Sequence, residues 1–257
     1  IGVGVPGPVD PEQGIVLEAV NLGWKSVKLR KFLESAFGCP AMILNDVDAG
    51  VFGENQLGAA QGARSVVGIF PGTGIGGGCV YDGTIVRGKN ISAMEIGHIE
   101  VTHDGNMCGC GRRGCLETEA SRLAISAEVA KAAYRGETPY LRSKAGTDIS
   151  NIRSGVLADA IKNGDEVVEK ILRTAAYKIG VAVSNVVLLF GPDTVVLGGG
   201  LVEAMPTLFV DEVSAAANAR VMPSFVGSFR VVAAELGDYA TVKGAAAWAR
   251  AVVKGKR

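Results

Sequence analysis

One short segment, residues 94–119, constrains the fold of this chain more than any other part of its sequence. It contains three of the five cysteines and both histidines of the chain: Cys108, Cys110, Cys115, His98 and His103. Three thiolates and one imidazole form a closed tetrahedral ligand set that is typical of structural zinc. We predict that zinc is bound by His98 and the three cysteines. His103 is the competing histidine, but it lacks the E-x-G-H setting of His98.

Composition places the chain among ordinary globular proteins. Its 257 residues are 48% hydrophobic and 20% charged, which allows one large domain or two lobes. The formal net charge is zero, so nothing favours nucleic-acid or membrane binding through bulk charge. The apolar run at 181–190 is too short to span a bilayer, and no signal peptide is visible. The odd number of cysteines indicates a reducing compartment, and we expect a cytoplasmic protein in which Cys39 and Cys79 are core residues.

Strand patterns alternate with helix patterns along the chain, which predicts an α/β fold. Strands are predicted at 3–5, 15–17, 41–44, 65–70, 79–86 (a hairpin return through Asp82 and Gly83), 194–197 and 229–233. Helices are predicted at 26–37 with Ser26 as N-cap, 47–57, 121–134, 154–162, 165–189 and 241–253.

The dipeptide Asn45-Asp46 lies where a predicted strand ends and a helix begins. Ligands of α/β sheets gather at the carboxyl ends of strands. A carboxylate there can accept a proton from a substrate hydroxyl, and the neighbouring amide can hold that hydroxyl. In the alternative interpretation, Asp46 only caps the helix that follows it.

Two glycine-rich turns follow buried strands. The first includes Gly72, Thr73, Gly74 and Gly76, and the second is Gly198-Gly199-Gly200. Such turns expose backbone N–H groups that can surround a phosphate, and Thr73 adds a hydroxyl donor. A tight turn without a ligand is the alternative for each. Together they suggest a nucleotide, with phosphates at the first turn and adenosine at the second.

Acidic side chains flank the predicted zinc ligands. Glu95 and His98 precede the cysteine motif, and Glu117 follows it. A sugar or polyol needs several fixed acceptors for its hydroxyl groups, and carboxylates on a metal-bound loop would supply them. Solvated surface charge is the alternative for each glutamate taken alone.

The motifs together resemble those of a known family. A-M-E-I-G-H (93–98) and C-G-C-G-R-R-G-C-L-E (108–117) are similar to the signature of the ROK family, which comprises bacterial sugar kinases and sugar-responsive repressors. The family's other blocks follow in the right order: G-V-G-V-P-G-P-V-D (2–10), N-L-G-W (21–24), N-D-V-D-A-G-V-F-G-E (45–54), G-T-G-I-G-G-G (72–78) and V-V-L-G-G-G-L (195–201). The resemblance covers nearly the whole chain.

The resemblance implies an actin-like, ribonuclease-H-like fold with two lobes. Residues 1–44 and 240–257 would form the remainder of the first lobe, and residues 45–239 would form a larger second lobe that carries the zinc ligands. The family's N-terminal D-x-G-G-T phosphate motif does not occur in this sequence, which starts inside an apolar run at Ile1. We expect that an N-terminal part of the first lobe is missing from this chain.

The resemblance also implies roles for individual residues. Asp46 would be the catalytic base that deprotonates the sugar 6-hydroxyl. The expected sugar contacts are Asn45, Asp46, Glu95, His98 and Glu117, and the expected zinc ligands are His98, Cys108, Cys110 and Cys115. His98 would serve both, with one ring nitrogen on the metal and the other on the sugar. ATP and Mg²⁺ are implied at Gly72, Thr73, Gly74, Gly76, Gly198, Gly199 and Gly200.

The implied activity is ATP-dependent phosphorylation of a hexose, as in the glucokinase-type members of the family. The substrate would be a hexose or N-acetylhexosamine, and the protein a homo-oligomer, either a dimer or a tetramer. The main alternative is a sugar-sensing transcriptional repressor whose DNA-binding part would precede Ile1. A catalytically inactive sugar-binding module is a third interpretation.

Overall fold

A computed structural model describes residues 1–89 and 93–255 of the chain. Its strands are β1 Gly2–Val5, β2 Val9–Asp10, β3 Ile15–Ala19, β4 Trp24–Val27, β5 Met42–Asn45, β6 Ser65–Pro71, β7 Ile75–Tyr81, β8 Thr84–Ile85, β9 Thr194–Leu197 and β10 Arg230–Ala233. Its α-helices are α1 Leu29–Phe37, α2 Asp46–Leu57, α3 Leu116–Ala120, α4 Arg122–Tyr134, α5 Pro139–Ala145, α6 Ser154–Lys162, α7 Glu166–Phe190, α8 Gly200–Ala204, α9 Pro206–Asn218 and α10 Ala240–Val253.

The largest sheet has five strands in the order β10-β9-β6-β7-β8. Strand β9 runs parallel to β10 and β6, whereas β6, β7 and β8 are antiparallel neighbours. Both faces of this sheet are covered, because Val67 and Val195 pack into one hydrophobic cluster and Val66 and Val196 into another. This burial on two sides explains why the strands read as continuous apolar runs rather than alternating ones.

The C-terminal helix α10 closes the chain onto its first strands. It packs on α2 and on β1, which pairs in parallel with β5. The packing is close enough to require glycine: a Cβ at Gly2 would lie 2.0 Å from the Ala245 carbonyl oxygen, and one at Gly244 would lie 1.7 Å from the Ala49 oxygen. The junction of β5 with α2 is therefore held between α10 and the short sheet β2-β3-β4.

Helix α7 is the long core helix of the protein. Leu172, Ala175, Ile179 and Val183 are buried, as the apolar face of the sequence predicted, and Ile171 packs at its margin. By length and composition α7 could cross a membrane, but 56% of its most apolar window is buried inside the protein. Such burial is typical of a core helix, so we assign α7 to the core.

Most predicted elements are confirmed, with shifted ends, but the start of α1 is wrong. The N-cap position is Lys28, whereas Ser26 lies in β4 with a left-handed φ of 53°. The predicted apolar face of α1 is only partly buried, because Phe32 is 67% exposed. Cys39 is exposed, contrary to its prediction as a core residue, while Cys79 is buried as expected.

The hairpin at the first glycine-rich turn also differs from its prediction. The return strand β7 starts already at Ile75, so most of the glycines are strand residues, and Asp82-Gly83 instead joins β7 to β8. Helices α5 and α9 were missed altogether. Both begin with a proline, Pro139 and Pro206, in the first turn, where the missing N–H of proline costs nothing.

Candidate active site

Asn45 connects the end of β5 to two other parts of the chain. Its Oδ1 accepts hydrogen bonds from the backbone N–H groups of Val47 at 2.8 Å and Asp48 at 3.1 Å, which makes it the N-cap of α2. Its Nδ2 donates to the Gly7 carbonyl oxygen at 3.0 Å. The interpretation of Asp46 as the helix cap is therefore wrong, since Asn45 has that role.

Asp46 is the first residue of α2. Its carboxylate accepts a hydrogen bond from the Val47 N–H at 3.0 Å, and its backbone oxygen accepts one from Thr241 Oγ1 at 3.0 Å. Burial raises the pKa of Asp46 above the ordinary value, against the opposing effect of the hydrogen bonds from Val47 and Asn45. A partly desolvated carboxylate with a raised pKa is a better proton acceptor than an exposed one.

A cleft of about 240 Å³ opens beside this junction, between the 7–11 turn and the start of α2. Its polar and charged lining residues are Asn45, Asp48, Arg87 and Glu95, and Gly76 and Gly77 of β7 form part of its wall. Of the residues that the sequence predicted for the site, Asn45, Gly76 and Glu95 line the cleft, whereas Asp46, His98 and Glu117 are not among its lining residues. The sequence did not single out Asp48 and Arg87.

Asp48 and Arg87 are charged groups that line the cleft. Burial raises the pKa of Asp48 to about 6, with further increases from Asp46 and Glu95 and a decrease from Arg87. The Arg87 guanidinium lies over the Trp248 ring, 5.1 Å from its centroid, and burial lowers its pKa. Within residues 1–89 and 93–255, the buried Arg87 Nη2 has no hydrogen-bond partner. The sequence did carry a signal for Asp48. It follows Asn45 by three residues, and residues at that spacing lie on the same side of a helical turn.

The predicted zinc ligands come together. The ligand atoms of His98, Cys108, Cys110 and Cys115 all lie within 4.8 Å of one another. The distance from Cys110 Sγ to Cys115 Sγ is 3.7 Å, and that from Cys108 Sγ to His98 Nδ1 is 3.5 Å. A tetrahedron with zinc–sulfur bonds of about 2.3 Å has edges of roughly 3.5–3.8 Å. The donor set and its spacing therefore fit a zinc ion, which would use Nδ1 of His98.

His103 stands apart from this cluster. Its Nδ1 lies 3.3 Å from Glu100 Oε1 on the surface, and its side chain is 90% exposed. The choice of His98 over His103 made from the E-x-G-H setting agrees with this geometry.

Burial raises the pKa of the Cys115 thiol to about 12. A coordinated cation reverses such a shift, because the thiolate then has a positive partner.

The loop that carries the cysteines is anchored on α3 and α7. Glu119 accepts hydrogen bonds from the backbone and side-chain nitrogens of Asn106, both at 3.2 Å, and pairs with Lys178 of α7. Hydrogen bonding to Lys178 and Asn106 lowers the pKa of Glu119 even though burial opposes it. The ion pair between Glu119 and Lys178 therefore ties the loop to the long core helix.

Glu117 lies beside the first glycine-rich turn rather than in the lining of the cleft. Its Oε2 accepts a hydrogen bond from the Ile75 N–H at 3.0 Å. A Cβ at Gly74 would stand 2.2 Å from that carboxylate oxygen, so the approach depends on glycine. Because Glu117 is in α3, directly after Cys115, it links the cysteine cluster to the glycine-rich turn.

The glycines of the two turns fall into two groups. A Cβ at Gly198 would lie 2.4 Å from the Phe70 ring, and one at Gly199 would lie 2.8 Å from the Pro71 oxygen, so these two are required for packing against the end of β6. Gly72 and Gly200 face nearly open space. The two turns are thus adjacent, and open positions remain where a ligand could approach the backbone.

Comparisons with known proteins agree with this architecture. The model of the ROK family matches residues 1–252. The glucokinase of Thermotoga maritima is 35% identical over 96% of this chain and 77% of its own length. The xylose repressor of Caldicellulosiruptor bescii is 32% identical over 95% of this chain and 60% of its own length. The crystal structure of a ROK family glucokinase from Streptomyces griseus, in complex with glucose and AMPPNP, is 32% identical, with a TM-score of 0.83 over 97% of this chain and 80% of that one.

The mixed α/β architecture is that of the actin-like, two-lobed sugar kinases, as the sequence predicted. This chain belongs to the ROK family. The relatives include both kinases and repressors, so membership alone leaves the activity to be argued from the site.

Proposed function

We propose that this protein phosphorylates a hexose at its 6-hydroxyl group with ATP as the donor, as a glucokinase does. The observation that carries this proposal is the β5–α2 junction beside the cleft, where Asn45 is the N-cap of the helix and burial raises the pKa of the adjacent Asp46 carboxyl. Similarity to the Thermotoga maritima and Streptomyces griseus glucokinases supports the same activity.

The chain's own residues divide the work. Asp46 accepts the proton of the 6-hydroxyl as that oxygen attacks the terminal phosphate. Asn45, Glu95, His98 and Glu117 hold the other hydroxyl groups. The sugar's orientation then depends on groups whose own positions are fixed by α2, α3 and the cysteine loop.

Backbone N–H groups of the two glycine turns would hold the nucleotide. The proposed residues are Gly72, Thr73, Gly74, Gly76, Gly198, Gly199 and Gly200. Mg²⁺ would neutralise phosphate charge when bound. Zn²⁺ at His98 and the three cysteines is structural in this proposal, because a closed set of four ligands leaves no position for substrate.

For the lobe boundaries, the oligomeric state and the cellular compartment, we propose what the family resemblance implies. Residues 1–44 with 240–257 would form one lobe and residues 45–239 the other; Lys256 and Arg257 lie outside the described residues. Helix α10 contacts β1 and β5, as this division expects, and also packs on α2 at the start of the proposed second lobe. We further propose a cytoplasmic homodimer or homotetramer.

Asp46→Asn tests the proposed chemistry. The protein, produced from its complete reading frame, would be assayed for ADP release with ATP and a panel of hexoses and N-acetylhexosamines. We expect kcat to fall by about 10²- to 10⁴-fold in the variant, with zinc content unchanged, because only the general base is lost. Asp159→Asn, an exposed carboxylate of α6, is the matched control. A variant with wild-type kcat would sink the assignment of Asp46.

A sugar-responsive repressor is the second candidate, and similarity to the Caldicellulosiruptor bescii xylose repressor favours it. The chain spans only 60% of that relative's length, so the DNA-binding function would depend on residues not present here. A mobility-shift assay of the complete protein with its own upstream DNA, with and without sugar, separates the two. Sugar-released DNA binding without ADP release would establish the repressor, and sugar binding with neither activity would indicate an inactive binding module.

A further inference from the structure

Helix α3 is only five residues long, and its side chains hold it in several directions. Leu116 and Ala120, one turn apart, are fully buried and belong to the largest hydrophobic cluster of the core. Glu117 and Glu119 leave the helix on different sides, because residues two positions apart on a helix do not face each other. A shift of this short helix would therefore displace both carboxylates together.

Glu119 holds the loop that carries the cysteines. Its Oε1 accepts hydrogen bonds from the backbone N–H and the side-chain amide of Asn106, both at 3.2 Å. The Asn106 carbonyl oxygen accepts the Gly114 N–H at 3.0 Å across the loop. Asn106 lies two residues before Cys108, and Gly114 directly precedes Cys115. One carboxylate thus fixes the loop beside two of its three cysteines.

Lys178 of α7 holds Glu119 in turn, since its Nζ donates to Glu119 Oε2. This ion pair is shielded from solvent: the Glu119 side chain is 6% exposed and that of Lys178 25%. The ion pair of Arg173 with Glu169 on the same helix is 48% and 37% exposed. Exposed pairs add little to stability, and for a buried pair the cost of desolvation offsets most of the attraction. A buried pair can instead specify one arrangement of the groups around it.

The contacts continue from Glu119 to the first glycine-rich turn. Glu117 lies two residues earlier in α3, and its Oε2 accepts the Ile75 N–H at 3.0 Å. The helix that bears both carboxylates packs on α7, whose buried face places it in the core. The core helix, the cysteine loop and the Glu117 carboxylate are therefore connected through one buried ion pair.

We propose that Lys178 and Glu119 are positioning residues, which fix the cysteine loop directly and the Glu117 carboxylate through α3. The inference rests on the proposed function, because it takes Glu117 as a sugar contact and the cysteine cluster as a zinc site. Neither Lys178 nor Glu119 is assigned a contact with sugar or metal. Loss of the pair should therefore weaken both ligands and leave the proposed general base, Asp46, unaffected.

Zinc affinity of the complete protein, measured by competition with a chelator well below the melting temperature of each variant, tests the first part. Lys178→Met removes the ammonium group, and Glu119→Gln removes the charge but keeps an acceptor for Asn106. We expect either variant to bind zinc about 10- to 100-fold more weakly, as is typical when an outer partner of a metal site is lost. Lys178→Arg keeps the cation beside a cavity of about 330 Å³, which has room for the guanidinium, and should retain wild-type affinity.

Sugar binding tests the second part. Calorimetric titration with the best-bound hexose of the panel should show about 3- to 10-fold weaker binding in Lys178→Met and Glu119→Gln, equivalent to one misplaced hydrogen bond. KM should rise while kcat changes by less than about twofold, because Glu117 binds the sugar away from the reacting oxygen. Lys131→Met and Glu169→Gln make the same substitutions in exposed ion pairs of α4 and α7, and should change neither affinity.

A purely structural role would give a different result. A lower melting temperature with unchanged zinc and sugar affinity would overturn the inference. So would a loss in Lys178→Arg as large as that in Lys178→Met, an equal loss in the control variants, or a wild-type protein that binds no zinc. If Lys178→Met does not fold, Glu119→Gln decides, because it keeps the hydrogen bonds to Asn106. Weaker zinc binding in the two variants of a protein that phosphorylates no sugar would support the positioning of the loop and contradict the kinase proposal.

Discussion

The cysteine cluster and the cleft beside the β5–α2 junction differ in how their polar groups are satisfied. Around the cluster, the chain supplies the partners of its polar groups. Glu119 accepts a hydrogen bond from Asn106 and pairs with Lys178, and the three thiols and the His98 imidazole lie close to one another. In the cleft, Asp48 is partly desolvated without a hydrogen bond from the described residues, and Arg87 Nη2 has no hydrogen-bond partner among them. Fully partnered groups stabilise a fold, whereas partly partnered ones indicate where a ligand completes the structure.

The largest effect should follow from breaking the cluster. Cys115→Ser removes one of the four proposed zinc ligands from a fully buried position, and we expect the free energy of unfolding to fall by at least about 3 kcal/mol. Thermal denaturation with and without a chelator, together with zinc analysis of the sample, measures this.

Cys39→Ser is the matched control, because Cys39 is exposed and free. It should change the free energy of unfolding by no more than about 0.5 kcal/mol. A Cys115→Ser protein as stable as the wild type, or a wild type without zinc that is folded and indifferent to chelator, would show that the cluster does not hold a structural metal.

A smaller effect should separate packed glycines from open ones. Gly198→Ala places a methyl group against the Phe70 ring, and such overpacking costs about 1–3 kcal/mol of the free energy of unfolding. Gly72→Ala meets only open space, so it should change stability by less than about 0.5 kcal/mol. Urea denaturation of both variants compares them, and equal destabilisation would contradict the division.

The remaining effect concerns the cleft, is of similar size to that of Gly198→Ala, and has the opposite sign. The pKa of Asp48 rises from 3.8 to about 6 on folding, so the folded protein binds a proton more tightly than the unfolded chain. The stability from Asp48 is therefore greatest below pH 4 and decreases as the pH rises to about 6. Asp48→Asn should remove this dependence and raise the free energy of unfolding at pH 7.5 by about 1–3 kcal/mol, while weakening sugar binding.

Denaturation of Asp48→Asn at several pH values between 4 and 8 measures that prediction. Asp159→Asn, on the exposed side of α6, is the control for a change of charge alone. A variant that loses stability at pH 7.5 would mean that the Asp48 carboxylate is stabilised in the folded state, and the cleft would then resemble the cluster.

Periodic and chemical signals in the sequence predicted the long elements and the cysteine cluster. Helix α7 and strand β9 were readable because burial imposes a regular apolar pattern over their length. The clustering of His98 with the three cysteines could be predicted because thiols and imidazoles cluster for few reasons other than metal binding. Most of the mixed α/β fold follows from these elements.

Other features depended on tertiary context that local sequence does not carry. Ser26 has the chemistry of an N-cap, yet it lies in β4 because pairing with β3 takes that segment. Asp48 and Arg87 meet at the cleft only after β8 returns along β7, so no local pattern announces their proximity. Cys39 looked like a core residue because apolar neighbours follow it, but it lies on the exposed surface where α1 ends.

The hydrogen bonds at the two ends of the Asn45 side chain have a mechanical consequence. Its Nδ2 holds the Gly7 carbonyl of the β1–β2 turn while its Oδ1 caps α2, so one side chain couples movement of that turn to the helix that bears Asp46. If the cleft narrows around a sugar by displacement of this turn, the Asn45 side chain transmits that displacement to α2. Asn45→Asp would keep an acceptor for the helix N-terminus and lose the donor to Gly7. It would therefore uncouple the turn from α2 without removing the N-cap.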